Sequence, residues 1–166
     1  MNSLLRSLTL VLLVGLVCTL GVARGGDEKV PLDKLPKKVV DTVKAKFPKG
    51  VLKHAYKDTV DGKVVYEVGV DMDKSHLHAF VTADGKLTEI HQEIDKKDVP
   101  EKVLKAVEAK YAKSKVEDVE KMSDADGKVF AYEVTIEAAD GSTVEVVVNT
   151  AGKITKETVT KKAEKK

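Results

Sequence analysis

The chain of 166 residues contains one sequence unit twice, and this duplication limits the folds that it can adopt. Three pairs of segments match, at offsets of 64, then 65 passing to 66, then 67 residues. The pairs are LPKKVVDTVKAKF (35–47) with VPEKVLKAVEAKY (99–111), DGKVVYEV (61–68) with DGKVFAYEV (126–134), and DGKLTE (84–89) with AGKITKE (151–157). Because the offset grows one residue at a time, the pattern indicates a duplicated unit with small loop insertions between the matched segments.

Each unit is predicted to begin with a helix. Pro36 and Pro100 stand where a helix tolerates proline in its first turn. After each proline, apolar residues recur at spacings of three and four, which places them on one helical face. These residues are Val39, Val40, Val43 and Phe47 in the first unit and Val103, Leu104, Val107 and Tyr111 in the second.

After each helix the hydrophobic period changes to two, which predicts β-strands. Asp61-Gly62, Asp84-Gly85 and Asp126-Gly127 are typical of two-residue hairpin turns, since glycine readily adopts positive φ. Four strands follow each helix, near 51–60, 63–72, 76–82 and 86–94, and near 116–123, 128–138, 142–149 and 153–160. Their alternation favours antiparallel sheet with one face against the helices. The predicted helix-facing residues are Val64, Tyr66, Val68, Val70, Leu77, Ala79, Val81, Thr88, Ile90, Ile94, Phe130, Tyr132, Val134, Ile136, Val144, Val146 and Val148.

The predicted fold class is therefore α+β, a tandem repeat of one helix packed on a four-stranded antiparallel meander. We place the first repeat at 27–95 and the second at 96–160, with a disordered basic tail at 161–166. The short link Asp95-Lys96-Lys97-Asp98 favours close packing of the repeats, so the two meanders could form one continuous sheet.

The first 26 residues are predicted to be a secretory signal peptide. One cation, Arg6, precedes the apolar run from Leu8 to Ala23, and Gly21 and Ala23 are small residues of the kind found before a cleavage site. A transmembrane anchor is the alternative, because the apolar run is close to the shortest length that spans a bilayer. We predict cleavage, a periplasmic or secreted protein, and no membrane contact once the signal is removed.

Composition excludes several kinds of chemistry. The only cysteine, Cys18, lies within the predicted signal, so the mature chain has no disulfide and no cysteine-based metal site. Charged residues make up 34% of the chain and nearly cancel at +2. Arginine occurs only at Arg6 and Arg24, and tryptophan is absent. Nucleic-acid binding is therefore not expected.

Three of the four histidines lie in one predicted hairpin, HLHAFVTADGKLTEIHQE at 76–93. A two-residue turn at Asp84-Gly85 would place Ala83 opposite Lys86 and His78 opposite His91. Directly opposed side chains have Cβ atoms about 4.5–5.5 Å apart. The open face, meaning the side of the sheet away from the helices, would then hold His76, His78, Phe80, Glu89, His91 and Glu93. These six residues are the predicted partner face.

The neighbouring strand is predicted to bring the fourth histidine, His54, next to this hairpin. If Asp61-Gly62 turns as tightly, His54 faces Gly69, which in turn faces His78. His54 would then lie in the same cross-strand row, one strand further out.

Two interpretations of the histidines remain open. Imidazoles and a carboxylate can hold a divalent metal such as zinc, and the candidate ligands are His78, His91, His76 and Glu89. Alternatively, histidine is one of the polar residues that the wet face of a one-sided sheet requires in any case. The second unit has Glu145 and Val147 near the corresponding place and contains no histidine, so the fold itself does not need them.

Catalytic groupings are not found in the sequence. It contains no Gly-x-Ser-x-Gly, no HExxH and no glycine-rich phosphate loop. We therefore predict that the protein is not an enzyme and that it has no resident cofactor, apart from the divalent metal of the alternative interpretation.

The repeated residues resemble the PepSY-like family related to β-lactamase-inhibitor proteins. The resemblance lies in LPKKVVDTVKAKFP, DGKVVYEVGVD and DGKLTEI, and again in VPEKVLKAVEAKY, DGKVFAYEVTIEAADG and AGKIT. It implies a helix packed against antiparallel sheet in each copy, and a secreted or periplasmic, non-enzymatic module that binds proteins, sometimes as an inhibitor. The leading functional hypothesis is an exported protein whose open sheet face contacts an envelope or extracellular protein. The alternative is a periplasmic metal-binding or metal-sensing protein.

Overall fold

A computed structural model describes residues 28–60 and 62–160. The predicted signal peptide and the predicted basic tail lie outside these residues. Within them, no helix is both long enough and apolar enough to cross a bilayer.

The order of elements follows the prediction, with one added strand at the start. The described residues form two helices, α1 (Lys37–Lys46) and α2 (Glu101–Lys110), each preceded by a short 3₁₀ turn. The strands are β1 (Glu28–Lys29), β2 (Val51–Val60), β3 (Lys63–Met72), β4 (Ser75–Thr82), β5 (Leu87–Glu93), β6 (Lys115–Asp124), β7 (Val129–Glu137), β8 (Thr143–Asn149) and β9 (Ile154–Thr160). The short strand β1 was not predicted; it pairs with β2 at Lys57 and Tyr56.

The nine strands found between residues 28 and 160 form one antiparallel sheet in the order β1 to β9, so the fold class is α+β. The halves of the chain join where β5 pairs with β6, from Glu89 opposite Asp124 to Glu93 opposite Glu120. The hydroxyl of Ser123 also donates to the carbonyl of Ile90 at 3.2 Å. The sheet is therefore continuous across the chain, a point that the sequence left open.

Each helix covers its own apolar core on one face of the sheet. Both helices begin directly after a proline, whose carbonyl accepts the first helical hydrogen bonds. Val39 and Val43 of α1 are fully buried against β3 and β4 residues such as Ala79. The second core holds Val103 and Val107 of α2 with Tyr132, Val134, Ile136, Val144, Val146 and Val148. The predicted helix faces are confirmed by this burial.

Phe130 was predicted to face the helices, and this is wrong. The residue is 38% exposed. Ser123 pairs with Val129 and Met122 with Ala131, so the register shifts at a bulge that leaves Phe130 as the extra residue of β7. The one-residue gain in repeat offset between 61–68 and 126–134 thus lies within a strand and not in a loop.

The hairpin at Asp84-Gly85 also differs from the prediction. The amide of Thr82 donates to the carbonyl of Lys86, which leaves three residues in the loop, and Ala83 does not pair with Lys86. A second irregularity between Phe80 and Val81 restores the predicted register further along the strands. The same three-residue closure occurs at Asp126-Gly127, where the amide of Asp124 donates to the carbonyl of Lys128.

Gly85, in the loop of this hairpin, packs directly against α1. It has a φ of +92°, and a Cβ there would lie 3.0 Å from the Cβ of Lys38 and 3.2 Å from its carbonyl oxygen. The hydroxyl of Thr42 donates to the Gly85 carbonyl at 2.7 Å. Gly152 meets Lys102 in the same way in the second half. Glycine is therefore required by both backbone conformation and helix contact.

We expect Gly85→Ala to lower the free energy of unfolding by about 1–3 kcal/mol, since the added Cβ meets both positive φ and the helix backbone. Gly127→Ala is the matched control, because Gly127 has a φ of +88° but no atom within 4 Å of its Cβ position. Urea denaturation should show the larger loss for Gly85→Ala. Equal losses would mean that the contact with α1 contributes nothing.

Candidate binding surface

The open face carries a row of paired residues that runs across the join between the two halves. His54 pairs with Gly69 and Gly69 pairs with His78, as the sequence predicted. His78 then pairs with His91, and His91 with Met122 of β6. This row brings side chains of the first half into contact with those of the second.

His91 is the most enclosed of the histidines, with a side chain 8% exposed. Its Nε2 lies 3.1 Å from a carboxylate oxygen of Glu89, and its Nδ1 lies 3.6 Å from Glu120. The ring of Phe80 packs on it with 4.3 Å between ring centroids. Burial opposes protonation, but the hydrogen bonds and charges of Glu120 and Glu89 outweigh it and raise the pKa of His91 to about 9.

Glu120, on β6, joins the two central histidines. One of its carboxylate oxygens lies 3.2 Å from Nδ1 of His78, and the other faces Nδ1 of His91. Burial would raise the pKa of Glu120, yet the hydrogen bonds and positive charge of His78 and His91 lower it to about 2. The same carboxylate hydrogen bond is the main cause of the raised pKa of His78. The three groups form a charged network between the halves.

His54, His76 and His78 form a second group, the histidine cluster. One ring nitrogen from each lies within 4.8 Å of the others, and these are the residues in the described part of the chain that could together hold a metal ion. Nε2 of His76 lies 3.0 Å from Nε2 of His78, while Nδ1 of His76 lies 2.6 Å from Asp71. Burial, followed by the charges of His78 and His76, lowers the pKa of His54.

A groove of about 590 Å³ lies on the open face beside His91. The apolar residues that line the groove include Val65, Phe80, Met122 and Val147, and the lysines that line it are Lys63, Lys86 and Lys156. Strands of both halves line it, from the β2–β3 hairpin to β9. The remaining lining residues are Val60, Thr82, Thr88, Glu89, His91, Glu133 and Thr155. The prediction that Thr88 faces the helices is therefore wrong, because Val81 pairs with Leu87 and Phe80 with Glu89, which leaves Thr88 as the extra residue of a bulge.

The structure divides the predicted partner face into three places. Phe80, Glu89 and His91 line the groove. His78 lies in the histidine cluster, as does His76. Glu93 lines a separate depression of about 580 Å³, which His76 also borders.

The predicted metal ligands are divided as well. His76 and His78 lie together, and the third histidine beside them is His54. His91 and Glu89 lie outside this group and form a hydrogen bond with each other. The sequence had placed His54 in the correct row without including it among the candidate ligands.

Several residues of this surface were not identified from the sequence, and Glu120 is the most important. Its contact with His78 and His91 depends on the pairing of β5 with β6. Glu67, whose carboxylate lies 3.7 Å from Nδ1 of His78, was missed too. The regular two-residue alternation of β3 placed Glu67 on the open face, and that signal could have identified it.

The fold and this surface together define the class of the protein, which is α+β. Its antiparallel sheet has an open face that bears a groove and is covered by no helix of the described residues. A family described as "Putative beta-lactamase-inhibitor-like, PepSY-like" matches residues 24–87 and again 80–156. The chain therefore belongs to the PepSY-like family, with two matches that overlap at residues 80–87, as the resemblance of the repeated motifs indicated. No curated protein matches the chain.

Solved structures share the fold at low sequence identity. A "putative periplasmic" protein from Bacteroides eggerthii is 13% identical with a TM-score of 0.61, over 75% of this chain and 88% of that one. A BLIP-like protein from Bacteroides fragilis is 18% identical with a TM-score of 0.55, over 78% of this chain and 89% of that one. At these identities the likeness concerns architecture alone.

Proposed function

We propose that this protein acts outside the cytoplasm as a non-enzymatic binding protein, and that the groove on its open face receives a loop of a partner protein. The groove is the observation that carries the proposal, because its apolar floor is reached from the open side of the sheet and both halves build it. Membership of an inhibitor-like family supports a binding role. The export expected from residues 1–26 and the likeness to a protein described as periplasmic support the location.

The side chains of the groove favour a particular kind of loop. Phe80 and Val147 lie on opposite halves and offer apolar contact to an inserted side chain. Lys63, Lys86 and Lys156 would attract carboxylates beside that side chain, which would raise the rate of encounter more than the affinity. The proposed partner therefore presents an apolar residue flanked by acidic residues.

A photo-crosslinking amino acid at position 65 tests this proposal, because Val65 lines the groove. The matched control places the same amino acid at position 44, on the exposed side of α1. Periplasmic and extracellular fractions are irradiated with each protein, and the crosslinked proteins are identified by mass spectrometry. One protein crosslinked from position 65 and not from position 44 is expected. Identical products from both positions would contradict the proposal.

Affinity for the purified partner gives the quantitative prediction. Phe80→Ala and Val147→Ala should each weaken binding by about 5- to 30-fold, as expected for apolar residues at the centre of an interface. Lys44→Ala should leave the affinity unchanged. Binding of both groove variants at the wild-type affinity, with their fold intact by circular dichroism, would exclude the groove as the site.

A further inference from the structure

We propose that His54, His76 and His78 bind one divalent transition-metal ion of the zinc type. The three side chains come from β2 and β4 and converge on one point of the open face. Imidazole nitrogen is a preferred ligand of zinc, and of copper and nickel. Three imidazoles leave a further coordination position open to water or to a group of a partner.

The spacing of two of the three nitrogens suits such an ion, and the nitrogen of His54 lies within 4.8 Å of both. Zinc–nitrogen bonds of about 2.0–2.1 Å in a tetrahedral site hold two ligand nitrogens about 3.3–3.4 Å apart. Nε2 of His76 and Nε2 of His78 are 3.0 Å apart. A small rotation of either ring would bring them to the required separation.

Carboxylates on the far side of two rings orient the ligands. Nδ1 of His76 lies 2.6 Å from Asp71, and Nδ1 of His78 lies 3.2 Å from Glu120. When Nδ1 carries the proton toward a carboxylate, the lone pair of Nε2 points into the cluster. Zinc-binding histidines typically have such a carboxylate partner, which fixes the ring and increases its basicity. Both rings are thus positioned as ligands, and a bound ion would replace the proton that joins the two Nε2 atoms at 3.0 Å in its absence.

Gly69 provides the space for the third ring. A Cβ at this position would lie 2.3 Å from Cε1 and 2.4 Å from Nε2 of His54, so the imidazole occupies the place of a side chain. Glycine weakens the interior of a strand and often marks a close approach of another group. Here that group is His54, whose ring lies toward His78 at 5.5 Å between centroids.

The second half of the chain shows that the fold does not require this arrangement. The row His54–Gly69–His78 corresponds in register to Asp118–Thr135–Glu145, and a bulge precedes both His54 and Asp118. The corresponding three positions of the second half therefore form the sheet without histidine and without glycine. The histidines and Gly69 are a feature of the first half alone.

Zinc titration of the full-length protein, stripped with a chelator, tests the proposal. Calorimetry should show one Zn²⁺ per chain, and the bound ion should remain through dialysis when measured by elemental analysis. Cobalt substitution should give the strong visible absorption of a four-coordinate site. A protein that retains no zinc and shows no heat of binding would overturn the proposal.

Variants identify the ligands. His54→Ala, His76→Ala and His78→Ala should each weaken zinc binding at least about tenfold. Gly69→Ala should do the same with every histidine present, because its methyl group displaces the His54 ring. His91→Gln is the matched control and should bind zinc within a few-fold of wild type. Circular dichroism and urea denaturation confirm that each variant is folded.

The control also separates this site from the one that the sequence predicted. If His91→Gln loses zinc while His54→Ala and Gly69→Ala retain it, the ligands are His78, His91, His76 and Glu89, and our assignment is wrong. If zinc binding survives all of these substitutions, it occurs elsewhere as adventitious binding and the proposal fails.

Discussion

Replacing Glu120 with glutamine should lower the free energy of unfolding by about 2–3 kcal/mol near pH 6, which is the largest effect that we expect from a polar substitution. The carboxylate serves both His78 and His91 and is only 16% exposed. Removal of one partner from an enclosed ion pair leaves the other charge without compensation, at a cost of about 3–5 kcal/mol when burial is complete. The partial exposure of the network, and the ability of His91 to lose its proton, reduce that cost.

The pH dependence identifies the cause of this loss. The pKa of Glu120 is lowered to about 2, so its stabilising effect is complete above the unfolded pKa of about 4.5 and declines as the pH falls toward 2. The pKa of His91 is raised to about 9, so its stabilising effect is complete below about 6.5 and declines as the pH rises through 9. The difference between wild type and Glu120→Gln should therefore be greatest between about pH 4.5 and 6.5.

Urea denaturation at a series of pH values, with a chelator present, measures this difference. Glu93→Gln is the matched control, because Glu93 pairs directly with Glu120 on the same face and is exposed. It should change stability by less than about 0.5 kcal/mol. A Glu120→Gln protein as stable as wild type at pH 6, or a loss that is the same at pH 6 and pH 10, would contradict the proposed role of the network.

Val43→Ala should lower the free energy of unfolding by about 2–3 kcal/mol. Val43 is completely buried between α1 and the sheet, and the substitution removes two methyl groups and leaves a cavity under the helix. Lys44→Ala, on the exposed side of the same helix, is the control and should have almost no effect.

Val107→Ala makes the corresponding change in the second half, where Val107 of α2 is 2% exposed in the core between the helix and the sheet. Because β5 and β6 pair directly within one sheet, we expect a single urea transition in both variants, shifted by similar amounts. Two separate transitions, with only the altered half shifted, would show that the halves unfold independently.

Much of the fold was predictable because it is repetitive and local. The change of hydrophobic period after Phe47 and again after Tyr111 identified every strand from β2 to β9 within about two residues. Buried residues such as Val68 and Val134 were recognised from alternation alone. Strand β1 was missed because two exposed residues carry no periodic signal.

The errors in the fold concern bulges. Phe130 is exposed and the Asp84-Gly85 loop has three residues, because an extra residue in a strand changes the side-chain direction or the turn without changing the composition. Side-chain faces assigned from alternation are correct only where every residue of a strand pairs with a residue of the neighbouring strand, and a bulge breaks this condition at one position. The register at His54 was correct because the nearby bulge, between Leu52 and His54, lies outside the hairpin that joins His54 to Gly69. The register at His78 was correct because the irregularity between Phe80 and Val81 offsets the extra residue of the loop.

The candidate site was only partly predictable. The pairing of His78 with His91 followed from one hairpin, which is local, and the structure confirms it. The contacts that give these residues their chemistry are not local: Glu120 reaches them from the second half, and the His54 ring reaches the cluster because Gly69 has no side chain.

By itself, the sequence determined the duplicated helix-and-strand pattern, the family, and which faces of the helices and strands are apolar, because period and turn chemistry act over a few residues. Only the tertiary structure decided that the two meanders form one sheet, that both halves build the groove, and that His54 rather than His91 joins His76 and His78. These outcomes depend on hydrogen bonds and side-chain packing between residues far apart in the chain, where no short pattern specifies the distance or the direction of contact.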